Sequence, residues 1–380
     1  MRVAIIGGGI IGLYTAHFLS KRDVEPIVFE KSTPGSGSTG RSGGGIRSQF
    51  STPTNVELSA VSRQYWDEFE ETFDADIRRR QPGYLFVARN QETAESLASD
   101  VEMQNGLGID SEYITPERAR EISPGLRIEE LVGASYSPND EFVDPHLVTM
   151  ALVRALEDDG VDIRRQTKVT DVVTNGDETS GVRTRDGQID TDAVVNAAGP
   201  WAERIAAMAD VDLPIKPELH RIAFVRPEGK LSGSIPLTMD LDTGAVFRPE
   251  DDETVAIGGG SESPRCDPDS FPRSATLEWT HDVLEGVTEL SDRFGPGTEV
   301  CNTMSGLYAT TPDAHPVLEE TRPGFVNVVG FSGHGFMHAP AAGKLVTELL
   351  CDGSTSTMDI GSLSSERFED GTTMPERSVI

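Results

Sequence analysis

The chain has 380 residues, 63 of them acidic and 33 basic, which gives a formal net charge of −30 at pH 7. A charge of this sign and size argues against nucleic acid as a partner. Three scattered cysteines, Cys266, Cys301 and Cys351, form no CxxC pair, so neither a zinc site nor a disulfide framework is predicted. No apolar run approaches the length of a membrane span, and residues 3–6 are too short for a signal peptide. We therefore expect a soluble, cytoplasmic protein without a metal site.

The composition also indicates a class of protein and an environment. The length is large for a single hydrophobic core, and 38 glycines with 37% hydrophobic residues are typical of an α/β enzyme. Only six of the 33 basic residues are lysines. An acidic, lysine-poor surface favours adaptation to high salt, where screening removes self-repulsion; an ordinary acidic cytosolic protein is the alternative.

The first motif in chain order is RVAIIGGGIIGLYTAHFLSKRDVEPIVFE, residues 2–30. An apolar strand pattern leads into Gly7, Gly9 and Gly12, and a helical pattern and a second strand follow before Glu30. In such a G-x-G-x-x-G turn the glycines allow the tight turn, the close approach of a pyrophosphate and the packing of helix on strand. The helix N-terminus attracts the phosphates, and Glu30 can accept hydrogen bonds from ribose hydroxyls. The pattern predicts an adenine dinucleotide site.

The segment after this motif discriminates between two dinucleotides. Residues 32–50, STPGSGSTGRSGGGIRSQF, are polar and rich in glycine. An NAD-binding fold has little use for such a loop at this point, whereas FAD extends past its pyrophosphate to an isoalloxazine ring that must be held. The loop therefore favours FAD.

A second glycine-rich run, GFSGHGFMHAP at residues 330–340, lies between an apolar strand pattern and a helical pattern. Bare backbone between a strand and a helix indicates that a ligand approaches the main chain closely. The pattern alone does not name the ligand.

Together with VVNAAGPWAERIA at residues 194–206 and the stretch 306–350, these segments resemble the FAD-dependent oxidoreductases of the D-amino-acid oxidase superfamily. The resemblance is strongest to the branch of sarcosine oxidase, dimethylglycine dehydrogenase and the proline dehydrogenase β-subunit. It implies an α/β fold in which a Rossmann-like FAD-binding domain is interleaved with an α+β substrate domain built on a mostly antiparallel sheet. The expected FAD-binding segments are 1–80, 141–212 and 300–380, and the expected substrate-binding segments are 81–140 and 213–299.

The resemblance also implies how FAD is held. Gly306 takes the position of the cysteine that tethers flavin in monomeric sarcosine oxidases, so we expect non-covalent FAD. We expect the amides of residues 335–337 near the pyrimidine edge of the flavin, and His334 as a structural side chain bonded to backbone rather than a proton carrier. The predicted cofactor-binding residues are Gly7, Gly9, Ile10, Ile11, Gly12, Glu30, Lys31, Thr39, Gly40, Arg41, Ser42, Gly43, Val169, Ala198, Gly199, Trp201, Gly306, Gly333, His334, Gly335, Phe336 and Met337.

Enzymes of this branch pass hydride from a carbon next to nitrogen to flavin N5, and an amino-acid carboxylate calls for an arginine beside the flavin. The resemblance places Arg47 on the residue that binds the substrate carboxylate, with a solvated surface arginine as the alternative. Arg248, in VFRPE, is a second candidate for catalysis, and Arg41 is expected to serve the flavin or the loop.

The resemblance leaves substrate and electron acceptor open. Expected substrates are small secondary or N-methylated amino acids such as sarcosine, dimethylglycine or proline; the alternatives are a D-amino-acid, glycine or 2-hydroxy-acid oxidase, or the flavin subunit of a larger complex. The sequence has no lysine between Lys230 and Lys344, where related oxidases carry the one that activates oxygen. A dehydrogenase is therefore favoured, with electrons passing to a quinone, another flavoprotein or a partner subunit.

The last segment of the chain has a mixed pattern. Residues 359–368, DIGSLSSERF, are expected to be ordered, whereas the polar residues after them are expected to fray.

Overall fold

The computed structural model describes residues 1–228, 231, 234–260 and 263–378. The strands in this part of the chain are β1 (Arg2–Ile6), β2 (Glu25–Phe29), β3 (Gly45–Ile46), β4 (Tyr84–Ala88), β5 (Glu112–Ile114), β6 (Gly133–Ser137), β7 (Glu141–Phe142), β8 (Asp162–Arg164), β9 (Val169–Asn175), β10 (Glu178–Thr184), β11 (Gly187–Asp190), β12 (Ala193–Asn196), β13 (Lys216–Arg226), β14 (Leu237–Asp240), β15 (Val246–Pro249), β16 (Val255–Gly258), β17 (Glu299–Thr310), β18 (Val317–Arg322) and β19 (Phe325–Val329). The α-helices are α1 (Ile10–Ser20), α2 (Pro53–Asp67), α3 (Phe69–Phe73), α4 (Gln91–Gly106), α5 (Pro116–Ile122), α6 (Pro145–Asp158), α7 (Ala202–Met208), α8 (Leu277–Leu290), α9 (Gly335–Asp352) and α10 (Arg367–Asp370). Short 3-10 helices span Thr39–Arg41, Gly199–Trp201 and Gly361–Leu363.

A six-stranded sheet in the order β18-β19-β12-β1-β2-β8 forms the first layer of the fold. Its strands are parallel except for β18, which runs antiparallel to β19. The central strands are apolar on both faces because helices cover one side and the small sheet β11-β10-β9 packs near the other. The carboxyl ends of β1, β2 and β12 meet at one edge, where Ile6 pairs with Phe29 and Asn196.

Helices α1 and α9 cross closely behind this sheet, so elements from the two ends of the sequence share one core. The close crossing depends on Gly343 in α9, where a Cβ would fall 2.7 Å from the carbonyl carbon of Tyr14. No helix in the described part of the chain is long and apolar enough to cross a membrane.

The second large sheet has eight strands in the order β17-β13-β16-β15-β14-β4-β6-β5. Its pairs are antiparallel except β14 with β4, which confirms the mostly antiparallel sheet expected beside the parallel one. Helix α8 packs on one face through Val283 and Val287. Strand β17 pairs along β13, so residues 299–310 hydrogen-bond with the second sheet although the sequence placed 300–380 with the first. The division into two interleaved domains remains a proposal.

Residues 372–378, which we call the C-terminal strap, fold back onto the body of the protein. Glu376 is 5% exposed and Ser378 is 4% exposed. The amide of Glu376 donates to the carbonyl of Asp313 at 3.0 Å. The expectation that the chain frays after residue 368 is therefore wrong for residues 376–378, because these residues find buried hydrogen-bond partners.

We expect Gly343→Ala to destabilise the protein by about 1–3 kcal/mol, because the added methyl meets backbone of α1 that cannot move aside cheaply. Gly286→Ala is the matched control, since Gly286 lies inside α8 and its added Cβ would sit 3.5 Å from the Ala245 Cβ. The control should gain about 0.5–1 kcal/mol from helix propensity. Chemical denaturation measures both changes, and equal effects of the two substitutions would contradict the close crossing.

Candidate active site

The first part of the site is a backbone cradle at the N-terminus of α1. Gly7 has φ +117°, and a Cβ there would fall 2.4 Å from the carbonyl oxygen of Ala197. A Cβ on Gly12 would fall 2.0 Å from the carbonyl oxygen of Gly7. The amide of Ile10 donates to Thr39 Oγ1 at 3.0 Å, which ties the loop after β2 to the first turn of the helix. The remaining amides at the N-terminus of α1 can bind an anion such as a pyrophosphate.

Glu30 lies at the carboxyl end of β2, beside the cradle. Its Oε2 accepts from the Gly8 amide at 2.9 Å, and its Oε1 accepts from the Ser32 amide at 2.7 Å. Each carboxylate oxygen can accept a further bond, so the fixed side chain can still receive ribose hydroxyls. Val169 in β9, 4% exposed, lines the same end of the cavity.

A cavity of about 760 Å³ runs from the cradle to the second sheet and passes the loop before α9. All of the predicted cofactor and catalytic residues line it except Gly12 and Gly40. Gly12 packs under the Gly7 turn, and Gly40 packs against the Gly35 carbonyl, so both act through the backbone that the others present.

Gly306 lies on the wall of this cavity, next to the side chain of Arg41. Cys301, five residues before it, is exposed and directs its thiol to the carbonyl of Glu299 at 3.8 Å. It does not line the cavity, and none of the described residues that do is a cysteine that could form a covalent flavin link.

The loop before α9 brings the helix N-terminus to the cavity. The first-turn residues Gly335, Phe336 and Met337 all line it. Amides in the first turn of a helix have no partner inside the helix, and the helix dipole adds partial positive charge there. This is the arrangement expected of a site that stabilises negative charge on a bound ring.

His334 precedes this helix and is 2% exposed. Neither ring nitrogen has a hydrogen-bond partner among the described residues, so the expected bond to backbone is not found. Burial lowers the pKa of His334 well below its usual value, and the charge of Arg47 lowers it further. The ring is therefore neutral, with one donor and one acceptor open to a ligand in the cavity.

Arg47 lies on the cavity wall with only 2% of its surface exposed, so it is not the solvated surface arginine of the alternative interpretation. Its Nη1 donates to the carbonyl of Gln49 at 2.9 Å, and its Nη2 donates to the carbonyl of Ser378. The guanidinium carbon lies 4.0 Å from the centre of the Phe50 ring. Burial lowers its pKa, and the charge of Glu376 is the largest influence that raises it. Arg47 forms no ion pair with any described residue.

Arg248 lies on β15 and differs from Arg47 in having its charge paired. It forms an ion pair with Glu250 and donates to the carbonyl of Gly43 at 2.6 Å. Its guanidinium carbon lies 4.7 Å from the centre of the Phe142 ring. Arg248 thus joins the second sheet to the glycine-rich loop.

The aromatic residues of the cavity that the sequence reasoning missed include Tyr84, His220 and Tyr308. A Cβ on Gly45 would fall 2.1 Å from the Tyr84 hydroxyl oxygen, and the rings of His220 and Tyr308 stack at 3.7 Å. Burial raises the pKa of Tyr84, and Arg248 and Arg47 oppose that rise. The sequence could have predicted Tyr308, because it lies two residues after the predicted site residue Gly306 on the same strand and therefore on the same face.

Asp269 was also missed, and it joins residues near Glu30, at the end of the cavity where adenosine is predicted to lie. Its carboxylate accepts from Trp201 Nε1 at 2.8 Å, from Lys31 Nζ at 3.0 Å and from Arg204 at 2.8 Å. Lys31 Nζ also lies 3.4 Å from the centre of the Trp201 ring. Burial alone would raise the pKa of Asp269, but the bonds from Trp201 and Lys31 outweigh it and lower the pKa to about 2. We call these four residues the Asp269 cluster.

Asp140 is a buried acid next to the loop that carries Arg47. It is 1% exposed, and its Oδ1 accepts from the Ser48 amide at 2.8 Å. Burial raises its pKa to about 7, although the Ser48 bond and the charges of Arg63 and Arg47 act in the opposite direction. Asp140 therefore changes charge within the ordinary working range of an enzyme.

A glycine cradle with Glu30 beside it, and arginines along the same cavity, fit a flavin-dependent oxidoreductase. The sequence matches the family model described as FAD dependent oxidoreductase (DAO) over residues 2–349. The chain belongs to this family, and it binds FAD non-covalently. Its cradle, Glu30 and the thiol-free wall at Gly306 fit that cofactor.

Individual relatives agree with this assignment. The structure of L-proline dehydrogenase from P. horikoshii superposes with a TM-score of 0.89 at 34% sequence identity, covering 97% of this chain and 98% of that one. Glycine oxidase from Geobacillus kaustophilus is 29% identical, with 92% of each chain covered. Mitochondrial dimethylglycine dehydrogenase from Rattus norvegicus is 26% identical over 97% of this chain, which spans only 45% of that longer protein.

We expect Asp269→Asn to weaken FAD binding by roughly 3- to 10-fold, because a neutral amide loses the charge-assisted bonds to Lys31 and Arg204. Asp252→Asn is the control, since Asp252 is exposed. FAD fluorescence on dilution of the holoenzyme measures the dissociation constant. If the two variants release FAD alike, the Asp269 cluster does not hold the cofactor.

Asp140 should leave a signature in the pH dependence of stability. Its pKa in the folded protein is about 7, above the ordinary value of 3.8, so between these pH values the folded state keeps a proton that the unfolded state has lost. The contribution of this group to the free energy of unfolding is therefore full below about pH 4 and falls as the pH rises to about 7. Asp140→Asn should remove that fall.

The measurement is chemical denaturation of the holoenzyme across this pH range. Asp158→Asn, at an exposed position, is the control and should keep the wild-type pH dependence. An Asp140→Asn profile parallel to that of the wild type would contradict the raised pKa.

Proposed function

We propose that the protein is a FAD-dependent dehydrogenase that oxidises the carbon–nitrogen bond of a small amino acid, most specifically a secondary or N-methylated one such as proline, sarcosine or dimethylglycine. One observation carries the proposal: Arg47 is a buried cation on the cavity wall, and its described hydrogen bonds go only to uncharged carbonyls. Burying such a charge is costly unless an anion joins it. A substrate carboxylate supplies that anion.

The proposed roles of the residues follow from their positions. Arg47 has five N–H groups and donates two of its bonds to carbonyls, so it retains donors for a bidentate carboxylate contact. The buried Tyr84 and the half-buried Tyr308 line the cavity and would exclude water from the bound substrate. The neutral His334 ring can hold a substrate or cofactor group without adding charge. Bound FAD supplies the hydride acceptor, and the N-terminus of α9 supplies favourable potential for the charge that arrives.

The names of the relatives support an amino-acid substrate. L-proline dehydrogenase, glycine oxidase and dimethylglycine dehydrogenase are all named for small amino acids. Proline is the leading candidate because the proline dehydrogenase covers nearly all of both chains at 34% identity.

A dehydrogenase is preferred to an oxidase on electrostatic grounds. Among the described residues, the lysines that line the cavity are Lys31 and Lys168, and Lys31 belongs to the Asp269 cluster near the predicted adenosine end. The preference rests on the lysine with which related oxidases stabilise superoxide, since this sequence has no lysine between Lys230 and Lys344. Electrons would pass to a quinone, another flavoprotein or a partner subunit.

The three free cysteines accord with a cytoplasmic location, which remains part of the proposal together with adaptation to high salt.

The second candidate is an oxidase of glycine, a D-amino acid or a 2-hydroxy acid, favoured by the 29% identity to glycine oxidase. A third reading is a flavin subunit that acts only within a larger complex. Peroxide formation in air identifies the second, and turnover only after addition of a partner identifies the third.

The test of the proposed function is anaerobic reduction of the bound flavin at high salt by a panel of proline, sarcosine, dimethylglycine, glycine, D-alanine and lactate. Bleaching by a secondary or N-methylated amino acid, with little peroxide formed in air, is the expected result. Flavin that stays oxidised with all six compounds would remove the proposal.

We expect Arg47→Met to raise the substrate concentration for half-maximal flavin reduction by about 100-fold or more, because a buried charge-assisted bidentate contact is lost. The FAD content should stay near that of the wild type. Arg118→Met, at an exposed position, is the control for loss of an arginine. Stopped-flow absorbance of the flavin gives both the half-saturating concentration and the limiting rate; an unchanged concentration in Arg47→Met would refute the assigned role.

A further inference from the structure

The C-terminal strap lies against the loop that carries Arg47. The amide of Arg377 donates to Ser51 Oγ at 2.8 Å, and its guanidinium donates to Asp100 Oδ1 at 2.8 Å. With the bond from the Glu376 amide to the Asp313 carbonyl, these contacts fix the strap on two sides. The strap therefore forms part of the wall behind the basic end of the cavity.

Glu376 is the anchor of the strap. Its Oε1 accepts from the Ser51 amide at 2.8 Å, from Ser51 Oγ at 2.5 Å and from the Ser378 amide at 2.9 Å. Its Oε2 accepts from Thr52 Oγ1 at 2.8 Å and from Asn55 Nδ2 at 3.1 Å. Five hydrogen bonds to one buried carboxylate are enough to hold it ionised in the interior.

The Glu376 carboxylate lies beside the start of α2. Thr52 is the N-cap residue of this helix, but its own side chain makes no capping bond. Glu376 instead binds the amide of Ser51 and the side chains of Thr52 and Asn55, at the end of the helix where the dipole favours negative charge. A residue more than 320 positions away in the sequence thus anchors the start of α2.

Two features of the strap act on Arg47. The Ser378 carbonyl accepts from Nη2 and fixes the rotation of the guanidinium plane. Glu376 also binds the amide of Ser378, so it sets the position of that carbonyl. Glu376 makes no direct bond to Arg47, but of the surrounding groups its charge is the one that raises the pKa of Arg47 most.

We propose that Glu376 is a positioning residue for the substrate-carboxylate site: through the strap it orients the Arg47 guanidinium so that the remaining N–H groups face the cavity. This inference rests on the proposed function, because it assumes that Arg47 receives a carboxylate. Glu376 touches neither substrate nor cofactor, so its effect should appear in binding and not in the rate of the chemical step.

The experiment uses the FAD-loaded full-length protein and two probes, pyrrole-2-carboxylate and uncharged pyrrole, titrated against the flavin absorbance spectrum. We expect Glu376→Gln to raise the dissociation constant of the carboxylate by 10-fold or more and to leave that of pyrrole within 2-fold of the wild type. Glu376→Asp should recover part of the affinity. Glu369→Gln, at an exposed position seven residues earlier, is the matched control and should behave as the wild type.

Flavin reduction by the substrate separates positioning from a general loss of structure. In Glu376→Gln the half-saturating concentration should rise by 10-fold or more, whereas the limiting rate should change by less than 3-fold. If Glu376→Gln does not fold, Asn55→Ala replaces it, since that substitution removes one of the five bonds; its carboxylate dissociation constant should rise 2- to 5-fold.

The outcomes separate this inference from the proposed function. A wild-type protein that binds pyrrole-2-carboxylate no better than pyrrole removes the carboxylate site and with it both proposals. A wild-type protein that prefers the carboxylate, together with Glu376 and Asn55 variants of unchanged affinity, overturns only the role of Glu376. Equal losses in affinity and limiting rate would also overturn it, because a positioning residue should affect mainly binding.

Discussion

The arrangement of the active site depends on one buried positive charge. Arg47 lies in the interior of a protein whose net charge is −30, yet its described partners are two backbone carbonyls and an aromatic ring. In a low-dielectric interior such a cation needs fixed dipoles around it and a counter-charge at moderate distance. The loop of residues 47–50 supplies one dipole, and the strap supplies the second dipole and the counter-charge. Glu376 makes no direct bond to Arg47, so under the proposed function the guanidinium keeps N–H groups for an anionic ligand in the cavity.

The two sheets contribute different kinds of groups to the cofactor cavity. The parallel sheet gathers the ends of β1, β2 and β12 at one edge, where bare glycine backbone leaves room for phosphates. The antiparallel sheet contributes a wall of large side chains, among them Tyr84, Tyr308 and Arg248. One sheet therefore presents backbone and the other presents side chains. A fold of this kind can change its substrate by substitution in the second sheet without altering the cofactor cradle.

The sequence predicted the parts of the site whose residues lie close together in the chain, and it missed parts that depend on long-range contacts. The turn from Gly7 to Gly12 and the acid at Glu30 are encoded within thirty residues, so their geometry could be read directly. Tyr84 and Asp269 could not, since their importance arises from contacts with Gly45 and with Trp201 that are far away in the sequence. Burial separated Arg47 from a surface arginine, and pairing with an acid separated Arg248 from Arg47; neither property is visible in composition.

The C-terminal strap was also mispredicted because its contacts are distant in the sequence. Its polar, charged composition is typical of a frayed tail, and that interpretation failed because Glu376 binds the amide of Ser51 and the side chains of Thr52 and Asn55 at the start of α2. The composition of a segment indicates how well water solvates it. Whether the segment is ordered depends on whether another part of the fold offers hydrogen-bond partners for its polar groups.

The order of strands in the parallel sheet has a consequence for biosynthesis. Strand β1 is made before its neighbour β12, which follows nearly two hundred residues later, and β19 borders β12 only after residue 325. The nascent chain must therefore carry an apolar strand with an unpaired edge until those strands are made, a state that invites association with other chains. The walls of the cofactor cavity are complete only when β19 and the helix after it have been made.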